Sequence, residues 1–519
     1  MIKRFGRICF LLFVVLVFIG TSCLTSFASV QQPSGKVGNG NNETPGEWLI
    51  GATPPNLNPD APILLFVPGL NNVAQIFWEV DNSLYQAAYN AGYQTVFIQL
   101  HDAGGASADM WANGELLADK IREISAYYNG KPITIIAYSK GGVDTQTALT
   151  YYGVSHLVDR VITLSSPHHG SELANLAYSG GAGWLADLIG ATGDGTYVMQ
   201  TGYMQNFRQQ TDQHPNAYLN NYYTLGGTDW GSMFSATWFG GMYLSFYGSN
   251  DGVVRVSSSR LPGGQEIAVG NWNHTNIRTG LTFPVFENYI SSQSPYGVSP
   301  SKNVGMNEET LVNRWIDGGP LAKNQFENIS ITVENDVDEM IYTVLTADPL
   351  TKIFLVDSNN KRTTPKYETV KIDEGIFAGA YAHTFSVKQP KQGEWELQIR
   401  SKEDNAYLLV VDYETDEKLR IKQRTDLQLS QLQTTNQLVY EIESLSSDID
   451  LNSIEATYVV KNSKTGSTYE IQATGTEALK QTLKFPEHDS VYNLTIDIKG
   501  KLKDGAEFTR TVIDSVYLP

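Results

Sequence analysis

The chain has 519 residues, of which 41% are hydrophobic and 18% are charged. This length exceeds the ~250–300 residues at which one hydrophobic core stops growing, so we expect two or three domains, and the composition excludes a disordered, collagen-like or polytopic membrane protein. The formal net charge of −18 argues against a nucleic-acid partner, because binding to a polyanion requires clustered Lys and Arg residues.

The first 28 residues have the layout of a secretory signal peptide. Three basic residues, Lys3, Arg4 and Arg7, precede an apolar run of twelve residues, and small residues follow up to Ala28. The run is shorter than the ~20 residues that a membrane-spanning helix needs. We therefore expect cleavage after Ala28 and a secreted, extracellular bacterial protein, with an uncleaved N-terminal anchor as the alternative.

Both cysteines of the chain, Cys9 and Cys23, lie inside this signal. The mature protein is therefore expected to be stabilised without disulfides. A lipoprotein signal at Cys23 is a weaker alternative, since Gly20 stands three residues earlier, where a Leu-like residue is normal.

An α/β pattern follows a polar leader over residues 29–46. In residues 47–293, near-continuous apolar runs alternate with helical stretches, as in a parallel sheet buried on both faces. One helix is predicted over Glu115–Asn129, with Gly130 at its end. The predicted strands are Ile63–Val67, Thr95–Leu100, Ile133–Tyr138, Val161–Leu164 and Tyr222–Leu225.

The pattern changes after residue 293. Only seven of the 46 glycines and one of the nine tryptophans follow residue 320, and apolar residues there alternate with polar ones, as in antiparallel strands. We predict a linker over residues 294–324 and two all-β sandwich (Ig-like) domains at 325–414 and 420–519. Trp395 is interpreted as sandwich core rather than as a carbohydrate-binding platform.

Ser139 is the predicted nucleophile. It lies between the apolar run Ile133–Tyr138 and a helical pattern from Val143, and Ala137 and Gly141 supply the small residues that a strained strand-to-helix turn requires. Such a turn points the first helical amides at the serine, so the Lys140 amide is a candidate oxyanion donor. The Leu70 amide, in the glycine turn after the earlier strand, is the second candidate.

A serine nucleophile needs a base, and the base needs a carboxylate that fixes its tautomer. His274 lies in a loop near the end of the α/β region and is the predicted base. Asp251, in a glycine-rich turn 23 residues earlier, is the predicted acid, and Asp229 is its competitor.

These motifs together resemble secreted bacterial lipases of the α/β-hydrolase fold. The resemblance covers roughly residues 60–290 and depends on five motifs in order, which are Pro68-Gly-Leu, Ala137-Tyr-Ser-Lys-Gly-Gly, Ser165-Ser-Pro-His-His-Gly-Ser-Glu, Ser249-Asn-Asp-Gly-Val-Val and Asn273-His. It implies catalytic roles for Ser139, Asp251 and His274, oxyanion donation by the Leu70 and Lys140 amides, and a structural role for His168 and His169.

Three positions depart from the family pattern. Tyr138 stands where the family usually has His, and Lys140 where it often has Met or Leu. Many relatives hold calcium through an Asp two residues after the catalytic histidine, but Asn276 occupies that position, and a neutral amide is a weaker ligand for a hard cation. We predict no metal and no cofactor.

Two segments before Asp251 bear on the substrate. Thirteen aromatic residues lie in residues 197–247, which suits either core packing or an acyl-binding wall. The short apolar stretch Trp184–Ile189 is bordered by glycines, which suits either a movable lid or a short core helix.

The sequence thus predicts a secreted serine ester hydrolase that acts on lipid or other hydrophobic esters. A polyhydroxyalkanoate-type polyester or a phospholipid is the alternative substrate, and a non-catalytic surface-binding protein is the alternative of another class. Such an enzyme can make transient contact with a lipid interface, and the sequence implies no obligate protein partner.

Overall fold

The structure is a computed structural model that describes residues 36–37, 44–104, 107–232, 235–291, 310–422 and 432–519. The predicted signal peptide and most of the predicted leader lie outside the described residues. Within the described ranges, no helix is both long enough and apolar enough to cross a membrane.

The first half of the chain contains an eight-stranded sheet in the order β1-β2-β4-β3-β5-β6-β7-β8. Strands β1 and β2 pair antiparallel, and β3 to β8 run parallel. The strands are β1 Lys36–Val37, β2 Trp48–Ile50, β3 Ile63–Val67, β4 Thr95–Ile98, β5 Ile133–Tyr138, β6 Val158–Leu164, β7 Asn221–Gly227 and β8 Gln265–Gly270.

Ten α-helices are described in this half, with short 3-10 turns at Ala74–Phe77, His101–Gly104, Ser155–Leu157 and Asn276–Arg278. The helices are α1 Leu84–Asn90, α2 Met110–Tyr127, α3 Lys140–Tyr151, α4 Glu172–Tyr178, α5 Gly183–Leu188, α6 Asp194–Val198, α7 Thr201–Thr211, α8 Trp238–Ser245, α9 Val256–Ser259 and α10 Phe283–Ser291.

The sheet is buried on both faces, which explains why its strands are apolar without alternation. Ile63 and Leu65 of β3 pack in one core cluster with residues of α2 and α3. Leu64 and Phe66 point the other way, into a cluster with residues of α1 and α10. The predicted α/β sheet is confirmed.

Helix α2 begins five residues before its predicted start. The Asp109 side chain caps it, accepting hydrogen bonds from the amides of Trp111 (2.9 Å) and Ala112 (2.8 Å). Gly130, at φ 75°, follows its end, as the sequence predicted.

The second half of the chain is made of antiparallel strands, as predicted. They are β9 Thr310–Leu311, β10 Arg314–Leu321, β11 Phe326–Val333, β12 Glu339–Thr346, β13 Leu350–Val356, β14 Arg362–Thr363, β15 Glu368–Lys371, β16 Tyr381–Lys388, β17 Gly393–Ser401, β18 Asn405–Glu414, β19 Leu419–Ile421, β20 Gln437–Ser444, β21 Ile449–Asn462, β22 Thr468–Thr474, β23 Lys480–Lys484, β24 Ser490–Leu502 and β25 Glu507–Leu518. A further 3-10 turn lies at Gly475–Leu479.

These strands form two pairs of sheets, each pair around its own core. Sheets β10-β18-β12-β16-β15 and β11-β17-β13-β14 enclose one apolar cluster, which includes Trp395. Sheets β23-β20-β19-β9 and β22-β21-β24-β25 enclose a second. Trp395 is 8% exposed and its indole N–H donates to the Lys391 carbonyl (2.8 Å), so its predicted place in the core is confirmed.

Strand β10 lies inside the range that the sequence assigned to a linker. It pairs along its whole length with β18, so the first sandwich begins at Arg314. The strand contains a glycine, Gly318, and a proline, Pro320. Gly318 allows the two halves to approach closely, since a Cβ there would lie 1.9 Å from the Gly181 carbonyl oxygen of the α/β half.

The two halves pack against each other over helices α4, α5 and α7. Helices α4 and α7 contact β25, and α5 contacts β10 and β18. The Gly202 amide donates to Ser515 Oγ (2.8 Å), and the Asn493 side chain donates to the Asn175 carbonyl (2.7 Å). One apolar cluster includes residues of both halves. The second half therefore covers one side of the α/β half.

Candidate active site

Ser139 occupies the turn between β5 and α3. Its φ of 51° and ψ of −134° place it in a strained region that a nucleophile turn imposes. The sequence predicted that this turn requires a small residue at position 141. The structure shows why, since a Cβ on Gly141 would lie 2.3 Å from the Pro68 carbonyl oxygen. Ser139 stands at the N-cap position of α3, but its hydroxyl makes no capping hydrogen bond and is free to interact elsewhere.

The structure brings the three predicted catalytic side chains together. His274 Nε2 lies 3.1 Å from Ser139 Oγ, and His274 Nδ1 lies 2.6 Å from Asp251 Oδ2. Ser139 is 8% exposed, His274 is 2% exposed and Asp251 is fully buried. The imidazole is thus held between a hydroxyl and a carboxylate, the arrangement in which a histidine accepts the proton of a serine.

The turn that holds Asp251 fixes its carboxylate. Asp251 Oδ1 accepts hydrogen bonds from the amides of Val253 (2.9 Å) and Val254 (2.7 Å), which leaves Oδ2 for the imidazole. The His274 amide also donates to the Asp251 carbonyl (2.9 Å). The competitor Asp229 accepts instead from the Gly231 amide (3.0 Å). Geometry therefore pairs Asp251, and not Asp229, with the imidazole.

The two predicted oxyanion donors flank Ser139. Lys140 is the first residue of α3, so its amide is one of the donors for which the helix supplies no acceptor. The turn that contains Leu70 lies directly against the serine, because a Cβ on Gly69 would be 2.7 Å from Ser139 Cβ. The two loops thus border the space on one side of the hydroxyl.

His168 and His169 do not join this constellation. His168 is fully buried, with Nε2 3.5 Å from Thr163 Oγ1, and burial together with the Arg208 cation holds its pKa well below the usual value. Burial and the Arg208 and Arg255 cations lower the pKa of His169 to about 3. Both imidazoles are neutral at ordinary pH, in keeping with the structural role that the resemblance implies.

Asn276 does not present a free ligand for calcium. Its side-chain oxygen accepts a hydrogen bond from the Asn273 amide (2.9 Å) and so closes the loop that follows His274. Among the described residues, no group of three or more His, Cys, Asp or Glu side chains is arranged to hold a metal ion. The donors present do not fit the calcium site of the resembled family.

The sequence did not reveal a chain of contacts that joins the site to the second half of the protein. The Tyr138 and His274 rings lie 5.0 Å apart, and Arg278 donates to the Tyr138 hydroxyl (2.8 Å). Arg278 also forms an ion pair with Glu374 of the first sandwich (2.6 Å), and these two side chains are 8% and 11% exposed. Arg278 lies four residues after His274, but nothing local in the sequence pairs it with Glu374.

The segment around Glu374 lies over the loop that follows Asp251. A Cβ on Gly375 would be 3.2 Å from the Val253 side chain, and the Phe377 ring packs edge-on against Phe239 of α8 (5.8 Å between centroids). The sandwich therefore contacts elements that carry both Asp251 and His274.

The predicted apolar stretch after the glycines forms helix α5. Leu185 and Ala186 are buried, whereas Trp184 and Leu188 are 59% and 55% exposed. In the aromatic segment, Phe239, Tyr243 and Tyr247 are buried in the cluster that both halves share. The Arg314 guanidinium of the sandwich lies 4.2 Å from the Tyr243 ring centroid and donates to the Tyr243 carbonyl (2.7 Å). Much of this segment thus contributes to packing between the halves.

No protein-family model matches the chain, and no curated protein matches it. Among solved structures, it is similar to the lipase BlEst2 of Bacillus licheniformis in its propeptide form, with 32% identity, a TM-score of 0.75 and coverage of 91% of this chain and 98% of that one. The chain belongs to this family of bacterial lipases. It is a carboxylic ester hydrolase of the α/β-hydrolase fold, as the sequence predicted.

Other solved structures match about half of the chain. The mature form of the same Bacillus licheniformis lipase is 44% identical and covers 48% of this chain and 100% of its own, with a TM-score of 0.45. A carboxylesterase of Bacillus subtilis is 14% identical and covers 50% of this chain and 91% of its own, with a TM-score of 0.29.

Proposed function

We propose that this protein is a secreted lipase that cleaves hydrophobic carboxylic esters through an acyl-enzyme on Ser139. The observation that carries the proposal is the position of His274, with one ring nitrogen 3.1 Å from Ser139 Oγ and the other 2.6 Å from Asp251 Oδ2. The imidazole thus contacts the hydroxyl that it would deprotonate and the carboxylate that would stabilise its charged form. Asp251 is fully buried, and its carboxylate accepts hydrogen bonds from the imidazole and from the amides of Val253 and Val254.

In the first step, Ser139 Oγ attacks the ester carbonyl carbon while His274 Nε2 accepts the hydroxyl proton. The carbonyl oxygen becomes an oxyanion, which accepts hydrogen bonds from the Leu70 and Lys140 amides. The tetrahedral intermediate collapses as His274 gives its proton to the departing alcohol, leaving the acyl group on Ser139.

In the second step, water attacks the acyl carbon and His274 accepts a proton from it. A second oxyanion forms at the same amides and collapses, releasing the carboxylic acid and returning the proton to Ser139 Oγ. Asp251 holds the Nδ1 proton throughout and stabilises the imidazolium that forms in each half-reaction. This sequence needs no metal and no cofactor.

Replacing Asp251 tests its proposed role, and the same replacement at Asp229 provides a control. Asp251→Asn should lower kcat by ~10⁴-fold, because the amide favours the wrong imidazole tautomer. Asp229→Asn is the matched control and should leave kcat unchanged within about twofold, since the Asp229 carboxylate accepts from the Gly231 amide of its own turn and an Asn side-chain oxygen can do the same. Rates are measured on p-nitrophenyl esters.

Ser139→Ala should abolish turnover and labelling by a fluorophosphonate while the circular dichroism spectrum stays that of the folded protein. Comparable losses in the two aspartate variants, or labelling of a residue other than Ser139, would contradict the proposed roles. A panel of emulsified triglycerides, phospholipids, polyester films and soluble short esters then separates the lipid substrate from its alternatives.

We further propose that the full chain is a precursor whose two sandwiches are a propeptide. The Bacillus licheniformis lipase that the chain matches over 98% of that protein's length is described as a propeptide form. All five proposed site residues lie in the α/β half, so the chemistry does not require the sandwiches. The Glu374 segment meanwhile contacts the loops of Asp251 and His274.

Limited proteolysis tests this division. Cleavage on the C-terminal side of α10 should leave a fragment that carries the fluorophosphonate label, with a higher rate of labelling than the intact chain. Mass spectrometry of the exported protein should also give Ser29 as its first residue. A fragment that is labelled more slowly than the intact chain, or that loses the label, would contradict the propeptide role.

A further inference from the structure

A buried network of charged side chains lies beneath the nucleophile turn. Lys140 Nζ lies 2.8 Å from Asp144 Oδ1 and 3.9 Å from Asp102 Oδ2, and all three side chains are 1% exposed. The Asn113 side chain, fully buried, donates to Asp102 (2.6 Å) and to Asp144 (3.1 Å) and so connects the two carboxylates. Buried ions are costly unless they are paired, and here one ammonium lies beside two carboxylates, so burial raises the pKa of Asp144 to about 7.

The network reaches the loop on the other side of Ser139. Asp102 Oδ1 accepts a hydrogen bond from the Asn71 amide (3.2 Å), and Asn71 has a left-handed φ of 55°. This bond fixes the peptide plane between Leu70 and Asn71. The Leu70 amide belongs to the preceding plane, two dihedral angles away, so its direction depends on the plane that Asp102 holds.

Lys140 takes part in the proposed oxyanion hole through both its backbone and its side chain. Its backbone amide is one proposed oxyanion donor, and its ammonium pairs with the carboxylate that orients the loop of the other donor, Leu70. Burial lowers the pKa of Lys140, but Asp144 and Asp102 raise it by more, so the ammonium stays protonated. An apolar residue at position 140 would fill the space without burying a charge, yet it would leave Asp102 without its cation.

We propose that Lys140 and Asp102 are positioning residues that hold the Leu70 and Lys140 amides at a fixed separation, as the two halves of one oxyanion hole. The inference depends on the proposed role of Ser139 and of these amides. The Lys140 ammonium connects α3 to Asp102 in the turn His101–Gly104. Asp102 in turn accepts the hydrogen bond from Asn71, in the loop that follows β3. Catalysis by preorganised donors is sensitive to such placement, because the hydrogen bonds must reach the charge that forms in the transition state.

The test compares Lys140→Met and Asp102→Asn with Lys120→Met, which removes an ammonium from an exposed pair on α2. Each is made in the full chain and assayed before and after proteolysis on p-nitrophenyl acetate, with rates divided by the active sites titrated with a fluorophosphonate. The second readout is the inhibition constant of a trifluoromethyl ketone, which forms a tetrahedral adduct with a serine.

For both network variants we expect kcat per titrated site to fall ~10–100-fold with KM changed less than about threefold. The affinity for the ketone should fall by the same factor as kcat/KM, and Lys120→Met should match the unsubstituted protein. A purely structural network predicts instead a lower unfolding midpoint with kcat per site and ketone affinity unchanged, and that result would overturn the proposal.

Two further outcomes keep the test decisive. If Lys140→Met does not fold, Asp102→Asn decides alone, because it keeps an oxygen acceptor for the Asn71 amide while it loses the charge beside Lys140 and the acceptor of the Asn113 side chain. If the unsubstituted protein is neither labelled at Ser139 nor active on esters, the proposed function itself has failed, which is distinct from failure of the positioning role.

Discussion

The ion pair between Arg278 and Glu374 offers a direct measure of how strongly the sandwich is held on the α/β half. Removing one partner of a buried pair typically costs about 3–5 kcal/mol, because the other charge is left uncompensated. Here the side chains are 8% and 11% exposed, and Arg278 keeps the Tyr138 hydroxyl as a hydrogen-bond acceptor. For Glu374→Gln, whose amide oxygen still accepts one hydrogen bond, we expect a loss of about 2 kcal/mol.

The matched control is Glu403→Gln, which breaks the pair between Lys323 and Glu403 in the same sandwich. Those side chains are 55% and 53% exposed, and exposed pairs contribute about 0–1 kcal/mol. Urea unfolding gives the midpoints, and a double-mutant cycle with Arg278→Gln isolates the coupling energy. Glu374→Gln should also speed fluorophosphonate labelling of the intact chain. A midpoint shift no larger than that of Glu403→Gln would refute the reasoning.

Two other predictions concern pH and backbone packing. Burial lowers the pKa of His383 to about 4, so between pH 6.5 and 4 its imidazole binds a proton in the unfolded chain and not in the folded one. The stability that His383 contributes above pH 6.5 should therefore decrease by about 3 kcal/mol toward pH 4. His383→Gln should remove this share of the pH dependence, to which the buried His168 and His169 also contribute, in urea midpoints measured at pH 7 and 4.5, whereas His156→Gln, at an exposed position, should leave the dependence unchanged. Gly69→Ala places a Cβ 2.7 Å from Ser139 Cβ and should lower kcat at least ~10-fold, because the nucleophile turn must shift to make room. Gly180→Ala is the control and should leave kcat unchanged, because its Cβ would meet one atom at 3.8 Å. Equal effects of the two substitutions on kcat would contradict this argument.

The parts of the site that the sequence predicted correctly are those with a local physical cause. Ile133–Tyr138 is a strand with the predicted bounds, because residues buried on both faces of a sheet must be apolar throughout. Gly141 marked the turn because the chain passes 2.3 Å from where its Cβ would be. Asp229 and Asp251 both lie in turns near glycines, so only the fold, which brings one of them to His274, distinguishes the two.

The parts that the sequence did not predict depend on contacts between distant residues. Glu374 lies 96 positions after Arg278, and an isolated Glu in a polar loop carries no sign of a buried partner. The sequence assigned the residues of strand β10 to a linker, yet they pair along their whole length with β18, and Gly318 in this strand reflects the approach of the α/β half. The Lys140 side chain was noted only as a departure from a family pattern, although its spacing of four from Asp144 is typical of an ion pair on a helix.

The apolar cluster that the two halves share connects the precursor proposal with the substrate proposal. On the α/β side it includes Phe239, Tyr243 and Tyr247, which precede Asp251 in the chain, and on the sandwich side it includes Phe377 and Ile376. Burial of apolar surface contributes ~25 cal/mol per Å², so exposing these residues by removal of the sandwiches would be unfavourable in proportion to the area uncovered. If the sandwiches are removed as proposed, the apolar residues of this cluster become exposed, and an exposed apolar surface is the kind that a lipid substrate would contact.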